Sequence, residues 1–411
     1  MNGTCIVIGA SHAGIQMAVG MRQEGWQGRI VLIGDEPWLP YHRPPLSKAY
    51  LKGEVEVTFI HPQASMEKHD IEFMPSIRVL QIDRQAHEVL LDNNQRLAYD
   101  KLALCTGARL RRLNIKGADL AGVHYLRNLA DADHLRSELP QARTAVVIGA
   151  GFIGLETAAS LRQLGLEVTV LEAAPCILGR SVDARVSEFF ETLHAMKGVT
   201  ILTERQVSEL QGKERVEAVL CSDGSRYPAD LVVIGIGVLA NAELAQEAGL
   251  TTDDGVIVDT HGRTSDPDIV AAGDCTRFPS RHLQRPVRLE CLANASDQAR
   301  SAAASLCGKN KAHEALPWFW SDQYEIRLQI AGVADTYDRV IQRGKTSDTS
   351  FSRFYLRDGM LLSTLCVNRP KEFIASKRLI ITAARVDPDK LADDSCDINV
   401  ALLSQPVMDV P

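Results

Sequence analysis

The sequence predicts an α/β fold with two parallel-sheet domains and a C-terminal α+β domain, and three observations predict it. At 411 residues the chain is longer than one hydrophobic core usually organises, so two or three domains are expected. A buried strand, a glycine-rich turn and a helix follow one another twice. Beyond Trp318, short segments alternate between apolar and polar residues as half-buried antiparallel strands do, and residues 371–384 then have the pattern of an amphipathic helix.

Composition and charge exclude several classes of protein. With 24% charged and 45% hydrophobic residues, the chain has the composition of a soluble globular protein. The formal net charge of -7 argues against nucleic acid as the main partner. The longest apolar run, Leu231 to Ala240, is too short to cross a bilayer, so no membrane partner is expected. The oligomeric state stays open.

The cysteines and the N-terminus indicate a reducing compartment. Nine cysteines are scattered without a C-x-x-C pair, and no histidines stand at zinc-ligand spacing. Structural thiols and no metal centre are therefore expected. No basic residue precedes Arg22, unlike in a secretory signal peptide, so the protein is expected in the cytoplasm.

The first strand–turn–helix unit begins with the apolar run Cys5–Ile8. After a glycine-rich turn, a helical stretch reaches about Glu24, and a second apolar strand ends before Asp35 and Glu36. In a Rossmann unit the first glycine permits the tight turn, the middle position lets the backbone approach a pyrophosphate, and the last glycine lets the helix pack on the strand. An acid about 20 residues later accepts hydrogen bonds from a ribose. The turn residues are Gly9, Ser11, His12, Ala13 and Gly14, with Ser11 in place of the usual middle glycine.

The second unit repeats this order with a complete motif. Its helix reaches about Leu164, and its second strand ends at Glu172. That carboxylate accepts from a ribose 2′-hydroxyl and repels a 2′-phosphate, which favours NADH over NADPH, whereas the nearby Arg180 could accommodate the phosphate. For either unit, an ordinary tight turn with glycines kept for packing is the alternative. The residues assigned to NAD are Gly149, Gly151, Phe152, Ile153, Gly154, Glu172, Arg180 and Gly237.

Three further segments resemble a known family. They are the loop 40–48, which reads PYHRPPLSK, the strand 102–108 with a Thr-Gly pair near its end, and the segment 269–275 with a Gly-Asp pair. Weaker matches lie at 125–127, 288–298 and 317–323. Over nearly its whole length, the sequence is thus similar to the FAD-dependent NADH:ferredoxin reductases of oxygenase systems, the type of putidaredoxin reductase and of the aromatic dioxygenase reductases.

The resemblance implies roles for individual residues. Lys48 would lie near the isoalloxazine ring, where its charge can stabilise reduced flavin, and Trp320 would stack near it, so these two are the expected catalytic residues. Asp274 would accept a hydrogen bond from the ribityl chain, and the helix that begins after Glu290 would point its positive end at the flavin. A solvated loop for Lys48 and Arg43, and core packing for Trp320, are the alternatives. The FAD residues implied are Gly9, Ser11, His12, Ala13, Gly14, Asp35, Glu36, Arg43, Lys48, Thr106, Gly107, Arg127, Asp274, Glu290 and Trp320.

The resemblance also implies a glutathione-reductase-like arrangement of domains. An FAD-binding domain would comprise residues 1–108 and 240–317, and an NAD-binding domain, residues 109–239, would be inserted into it. Residues 318–411 would form the C-terminal α+β domain, an antiparallel sheet with a few helices over the flavin face.

The expected function is electron transfer from NADH through FAD to a [2Fe-2S] ferredoxin, which supplies a P450 or Rieske-type oxygenase. Related NADH oxidases and disulfide reductases place a redox cysteine just after the first unit, and no cysteine stands between Asp35 and Lys48. A redox sensor or scaffold that binds both nucleotides but turns over slowly is a further alternative. The basic residues Arg109, Arg111 and Arg112 either dock an acidic ferredoxin or form a solvated loop.

Overall fold

A five-stranded parallel sheet surrounds the N-terminal strand in the computed structural model, which describes residues 2–404. Helices His12–Glu24 and Leu292–Leu306 cover one face, and a small antiparallel sheet packs on the other. Because both faces are covered, the central strands are apolar throughout. In order across the sheet, the strands are Ile269–Ala271, Lys101–Leu104, Cys5–Ile8, Ile30–Ile33 and Ile71–Met74.

A second five-stranded parallel sheet forms in the middle of the chain. Helices Phe152–Gln163 and Ala184–Met196 pack on one face, and their Leu155 and Phe190 belong to the same buried core as Val147 and Val170 of the strands. In order across the sheet, the strands are Val199–Leu202, Glu167–Leu171, Thr144–Ile148, Leu231–Ile234 and Val123–Tyr125.

A two-stranded antiparallel ribbon connects these two sheets. Its strands, Ala108–Leu110 and Val238–Ala240, pair so that Ala108 lies opposite Ala240. The chain therefore leaves the first unit and returns to it through neighbouring strands. The domain boundaries predicted near residues 108 and 240 fall within this ribbon.

The C-terminal part forms an antiparallel sheet with helices on it, as the alternating pattern predicts. The predicted amphipathic helix 371–384 spans Pro370–Ile381, with the proline at its first position, where a missing N–H costs nothing. Helix Pro388–Ala392 follows it. The main strands, in order, are Trp318–Gln323, Ile326–Gly332, Met360–Val367, Ser350–Arg357 and Arg339–Lys345. Strand Arg385–Val386 pairs with Met360–Val367, and Leu402–Ser404 pairs with Arg385–Val386. Met1 and residues 405–411 of the predicted domains lie outside the described residues.

Short elements complete the fold. Three small sheets contain Val79–Asp83, Glu88–Leu91 and Arg96–Ala98; Val207–Gly212, Val216–Cys221 and Arg226–Pro228; and Val256–Ile257, Thr276–Ser280 and Arg285–Val287. The remaining α-helices are Gln63–Lys68, Leu129–Glu138 and Glu243–Glu247, and the 3-10 helices are Pro44–Ser47, Leu139–Gln141, Thr346–Asp348 and Ile398–Ala401. Within residues 2–404, no helix combines the length and apolar character needed to span a membrane.

The predicted fold class is confirmed: two Rossmann-like units and a C-terminal α+β domain. The second and third units share one hydrophobic core, because Leu328 and Phe351 of the C-terminal sheet belong to the same buried cluster as Val147. This shared core holds the C-terminal sheet against the start of helix Phe152–Gln163, which follows the second glycine turn.

Candidate functional site

The first glycine turn requires glycine at both ends. Gly9 has a left-handed φ of 106°, and its N–H donates to Ile33 O at 2.8 Å. A Cβ on Gly14 would lie 1.8 Å from the carbonyl oxygen of Gly9, inside any allowed contact. The helix can begin this close to the strand only because neither glycine carries a side chain.

Ser11, at the middle of the turn, is held by an arginine from the loop 40–48. It is the N-cap of helix His12–Glu24 and has an extended backbone, and its Oγ accepts from Arg43 Nε at 3.0 Å. Arg43 also forms an ion pair with Glu36, whose Oε2 accepts from the hydroxyl of Tyr41 at 2.5 Å. The departure from glycine thus adds a polar contact rather than a clash.

The two acids predicted for the ribose differ in their surroundings. The carboxylate of Glu36 is occupied by Arg43 and Tyr41, whereas Asp35 is largely exposed and contacts only Arg78, at 3.1 Å, among the described residues. Asp35 therefore presents the more accessible acceptor.

Asp274 and Arg127 lie beside the first turn, although they are far from it in sequence. An Arg127 Nη donates to Asp274 Oδ2 at 3.2 Å, and the carbonyl of Arg127 accepts from Arg43 at 3.0 Å. A Cβ on Gly273 would lie 3.0 Å from the Cβ of Ala13, so Asp274 follows a backbone that touches the helix start. The structure therefore brings these predicted residues together around one cleft.

Thr106 and Gly107 stand where the chain enters the ribbon. Thr106 Oγ1 donates to Asn241 O at 2.6 Å, and Asn241 N donates to Gly107 O at 3.0 Å. A Cβ on Gly107 would lie 3.7 Å from an Nη atom of Arg127. This pair thus borders the same cleft.

His12 supplies no positive charge to the turn at neutral pH. Burial, the neighbouring His42 and the charges of Arg43 and Arg127 lower the pKa of His12 to about 3. Its Nε2 lies 3.4 Å from His42 Nδ1. The positive charge that would face a diphosphate therefore comes from the two arginines.

The helix Leu292–Leu306 points its N-terminus at this region, because a Cβ on Gly273 would also lie 3.7 Å from Ala295 in its first turn. Cys291 is its N-cap, and burial raises the pKa of this thiol to about 11, which keeps it protonated. Glu290 is exposed and forms an ion pair with Arg288.

The second glycine turn is more open than the first. A Cβ on Gly154 would lie 2.1 Å from Gly149 O, and one on Gly149 would lie 2.5 Å from Gly235 O. A Cβ on Gly151, by contrast, meets no heavy atom of the described residues within 4 Å. The turn therefore leaves a space in which the backbone can approach a pyrophosphate.

Glu172 lies directly beside this turn. Its carboxylate accepts from Ala150 N at 2.6 Å and from Ala174 N at 2.8 Å. Arg205 N donates to Glu172 O, but the Arg205 guanidinium is 3.5 Å from the Asp223 carboxylate. The charge at the ribose position is therefore negative.

The remaining residues assigned to NAD border the same opening. A Cβ on Gly237, which has a φ of 100°, would lie 3.9 Å from an Nη atom of Arg180. Ile153 is 50% exposed. Phe152 packs edge-on against Phe319 with ring centroids 4.7 Å apart, which places the turn against the C-terminal sheet.

Lys48 forms a buried ion pair that no pattern in the sequence indicates. Its Nζ lies 2.7 Å from Glu156 Oε2, and the Glu156 side chain is 2% exposed. Ser47 Oγ and Ser321 Oγ each donate to this carboxylate at 2.7 Å, and Lys48 also donates to Pro44 O at 3.3 Å. Three segments therefore meet at Glu156: the loop 40–48, helix Phe152–Gln163 and the C-terminal sheet. We call this set the Lys48–Glu156 cluster.

Further hydrogen bonds extend the cluster. Ser160 Oγ donates to Ser47 O at 2.7 Å, and Gln323 Nε2 donates to Ser321 Oγ at 3.2 Å. His194 Nε2 lies 2.8 Å from Gln323 Oε1. One sequence signal could have revealed Glu156: it stands within an apolar stretch of a core helix, where a carboxylate is rarely buried without a partner.

Trp320 precedes Ser321 on strand Trp318–Gln323, so its side chain lies on the opposite face of the C-terminal sheet from the Lys48–Glu156 cluster. Its ring stacks on Trp318 with centroids 5.6 Å apart, and Lys377 Nζ lies 4.7 Å from the centroid of Trp318. The two tryptophans, with Arg327, Phe373 and Lys377, line a surface groove, which we call the tryptophan groove. It combines an aromatic wall with two cationic side chains.

The cysteines provide no redox pair in the described part of the chain. All nine are free, and burial raises the pKa of Cys5 and of Cys105 well above the usual thiol range. Both thiols therefore stay protonated, which makes them poor nucleophiles.

Comparisons with known proteins agree with this arrangement. Residues 3–299 match the pyridine nucleotide-disulphide oxidoreductase family, and residues 318–402 match a reductase C-terminal family. The chain is 43% identical to putidaredoxin reductase CamA of Pseudomonas putida over 96% of this chain and 95% of that protein.

Two solved structures superpose closely. A chain of the covalent putidaredoxin reductase–putidaredoxin complex matches with a TM-score of 0.94 and 42% identity, over 97% of each chain. The ferredoxin reductase for the CYP199A2 system from Rhodopseudomonas palustris matches with a TM-score of 0.94 and 42% identity, over 98% of this chain and 100% of that chain.

Proposed function

Since this chain belongs to the pyridine nucleotide-disulphide oxidoreductase family, in its branch of ferredoxin reductases, we propose that it carries electrons from NADH through bound FAD to a [2Fe-2S] ferredoxin. That ferredoxin would supply an oxygenase of the P450 or Rieske type. The observation that carries the proposal is the Lys48–Glu156 cluster: it joins the helix of the second glycine turn to the loop whose Arg43 reaches the first.

We assign FAD to the cleft of the first turn. Ser11, Arg43, Arg127 and Asp274 are connected there by hydrogen bonds, and the two arginines supply the charge for a diphosphate. NAD is assigned to the second turn, where Gly151 leaves the required space. The FAD domain would be residues 1–108 and 240–317, the NAD domain 109–239 and the C-terminal domain 318–411.

The side chains position and tune rather than react. FAD supplies a two-electron acceptor for hydride that can release electrons singly. The Glu156 carboxylate fixes the Lys48 ammonium, which holds a positive charge at one point and would favour negative charge on reduced flavin. Burial of the carboxylate keeps water away from this pair.

Glu172 supports NADH as the donor, because its carboxylate would repel a 2′-phosphate. We expect Glu172→Gln to lower the ratio of kcat/KM for NADH to kcat/KM for NADPH by about tenfold. This corresponds to about 1.4 kcal/mol of discrimination between the two nucleotides. Arg180→Gln is the matched control. If Arg180 instead accommodates the phosphate, that variant alone will lower kcat/KM for NADPH.

We propose that the ferredoxin docks at the tryptophan groove. In this groove Arg327 and Lys377 lie beside two aromatic side chains, Trp318 and Trp320, whereas Arg109 of the basic cluster already pairs with Glu243 at 2.6 Å. Lys377→Gln should weaken the salt dependence of ferredoxin reduction. Replacing Arg109, Arg111 and Arg112 together by glutamine should leave it unchanged, and the reverse pattern would move the docking surface.

Anaerobic stopped-flow absorbance tests the function directly. The purified protein is mixed with NADH or NADPH and then with a [2Fe-2S] ferredoxin. Rapid bleaching by NADH and reoxidation by ferredoxin are expected. A colourless protein, or flavin that NADH does not reduce, would contradict the proposal, and slow reduction would favour the redox sensor.

We also propose a cytoplasmic location, supported by the nine free thiols among the described residues.

A further inference from the structure

A cluster of metal-ligating side chains lies away from the two glycine turns. His124 stands on strand Val123–Tyr125, and His134 and Glu138 stand one turn apart on helix Leu129–Glu138. One ligand atom from each of the three lies within 4.8 Å of the others. His134 Nε2 is 3.1 Å from Glu138 Oε1, and His124 Nε2 is 3.6 Å from Glu138 Oε2.

His124 has an unused ligand atom that points into this cluster. The residue is only 4% exposed, and its buried Nε2 has no hydrogen-bond partner among residues 2–404. A buried polar atom without a partner costs about 1–3 kcal/mol, so such atoms are rare unless a water or an ion completes them. The Glu138 carboxylate lies 3.6 Å from this nitrogen, and a single ion between the two groups would contact both.

The donor set selects the kind of ion. Two imidazole nitrogens and one carboxylate oxygen are a common ligand set for Zn²⁺, whereas Mg²⁺ and Ca²⁺ prefer oxygen ligands alone. The His134 side chain is 66% exposed, so a fourth position faces solvent. Zinc–nitrogen bonds of about 2.0–2.1 Å require the donors to move closer, and the exposed His134 side chain is free to do so.

Arg215 is the competitor for this site. Its guanidinium forms an ion pair with Glu138, which balances the carboxylate when no metal is bound, and it also donates to Asp230 O at 3.4 Å. The Arg215 side chain is 44% exposed and can turn into solvent. Metal binding would therefore replace one cation at Glu138 by another.

We propose that His124, His134 and Glu138 bind one divalent transition-metal ion of the zinc class. The ion ties the end of helix Leu129–Glu138 to strand Val123–Tyr125. This helix begins next to Arg127, whose guanidinium contacts Asp274, so the metal stiffens an element that runs from the flavin cleft to the surface.

The test is titration of the tag-free, EDTA-treated holoprotein with ZnCl₂ in a calorimeter, with Co²⁺ as an optical probe of coordination. One ion per chain is expected, and His134→Ala and Glu138→Gln should each weaken affinity at least about tenfold. His134 is exposed, so its removal leaves the fold intact. His87→Asn, which removes an exposed imidazole elsewhere, is the matched control and should change nothing.

Arg215→Gln should change the zinc affinity in the opposite direction. Because this variant removes the cation that competes for Glu138, zinc affinity should rise, whereas a merely structural disturbance would lower it or leave it unchanged. Absence of saturable zinc binding, binding that His134→Ala leaves intact, or an Arg215→Gln variant that binds no more tightly would each overturn the proposal.

Discussion

The two glycine turns solve the same steric problem and differ in what surrounds them. In each, the last glycine lies against the carbonyl of the first, with a Cβ-to-oxygen separation of 1.8 Å at Gly14 and 2.1 Å at Gly154. At the middle position the first turn has Ser11, bonded to Arg43, whereas the second has Gly151 with open space. The steric frame is shared, and the polar surroundings are not.

This difference matches the two tasks we propose. A resident cofactor can be enclosed by side chains that fold over it, and the first cleft has such a network in Arg43, Arg127 and Asp274. A nucleotide that enters and leaves in each cycle needs an open approach, and the second turn has one, bordered by the half-exposed Ile153. Enclosure and access are thus built on one backbone motif.

The largest effect should come from disturbing the feature that both turns share, the close approach of the last glycine to the carbonyl of the first. Gly14→Ala forces a Cβ to within 1.8 Å of a backbone oxygen, so we expect a loss of at least about 3 kcal/mol in unfolding free energy and protein that retains little FAD. Thermal unfolding and FAD content per chain measure this. Gly151→Ala, whose Cβ meets open space, is the matched control and should stay yellow. A stable Gly14→Ala holoprotein would contradict the steric account.

The next largest effect should come from the element that joins the two units. Glu156→Gln removes the charge that fixes Lys48, so we expect the rate constant of flavin reduction at saturating NADH to fall about tenfold to 100-fold while FAD content is kept. Stopped-flow absorbance measures it. Ser321→Ala, which removes one hydrogen bond to Glu156 but leaves the ion pair, should have a smaller effect. Equal effects of the two variants would argue against a role for the charge.

A smaller effect is expected when the second turn is made to resemble the first. In Gly151→Ser the new side chain occupies the open space, so NADH should bind about tenfold more weakly, or about 1.4 kcal/mol, without a change in FAD content. Equilibrium titration of NADH against the holoprotein tests this. Unchanged affinity would show that both turns tolerate serine and that the open space is not used.

The smallest effect is expected from the converse change. Ser11→Gly removes the oxygen that accepts from Arg43, which is worth about 1 kcal/mol, so FAD should bind about fivefold more weakly. Reconstitution of the apoprotein, followed by flavin fluorescence, measures it. If the hydrogen bond determines the affinity for FAD, Ser11→Ala should bind FAD as weakly as Ser11→Gly does. If Ser11→Gly instead binds FAD more tightly than the unchanged protein, the serine side chain only hinders binding.

The sequence predicted what depends on local order along the chain. Each glycine turn is specified by residues within one strand–turn–helix unit, so both turns were predicted with their acids. Helix Pro370–Ile381 shows the limit, since the apolar pattern continues to Ala384. It ends earlier because Ala383 takes a left-handed φ of 47°, a position at which glycine would have marked the end.

Contacts between distant segments were beyond prediction. The resemblance implies that Lys48 lies near the flavin, but its partner Glu156 lies on another unit, and only the packing of the two units reveals the pair. The contact between Arg43 and Ser11 likewise depends on how the loop 40–48 folds back. His124 and His134 do not stand at a zinc-ligand spacing, because one is on a strand and the other on the following helix.

The ribbon between the two parallel sheets has a consequence for how the chain can assemble. Strand Ile269–Ala271 pairs with Lys101–Leu104, so the first sheet is completed only by residues made long after it began. Closing so long a loop has an entropic cost that grows with the logarithm of its length. Once Ala108–Leu110 has paired with Val238–Ala240, the intervening unit no longer adds to that length. If the inserted unit folds first, it would therefore lower the entropic cost of adding strand Ile269–Ala271 to the first sheet.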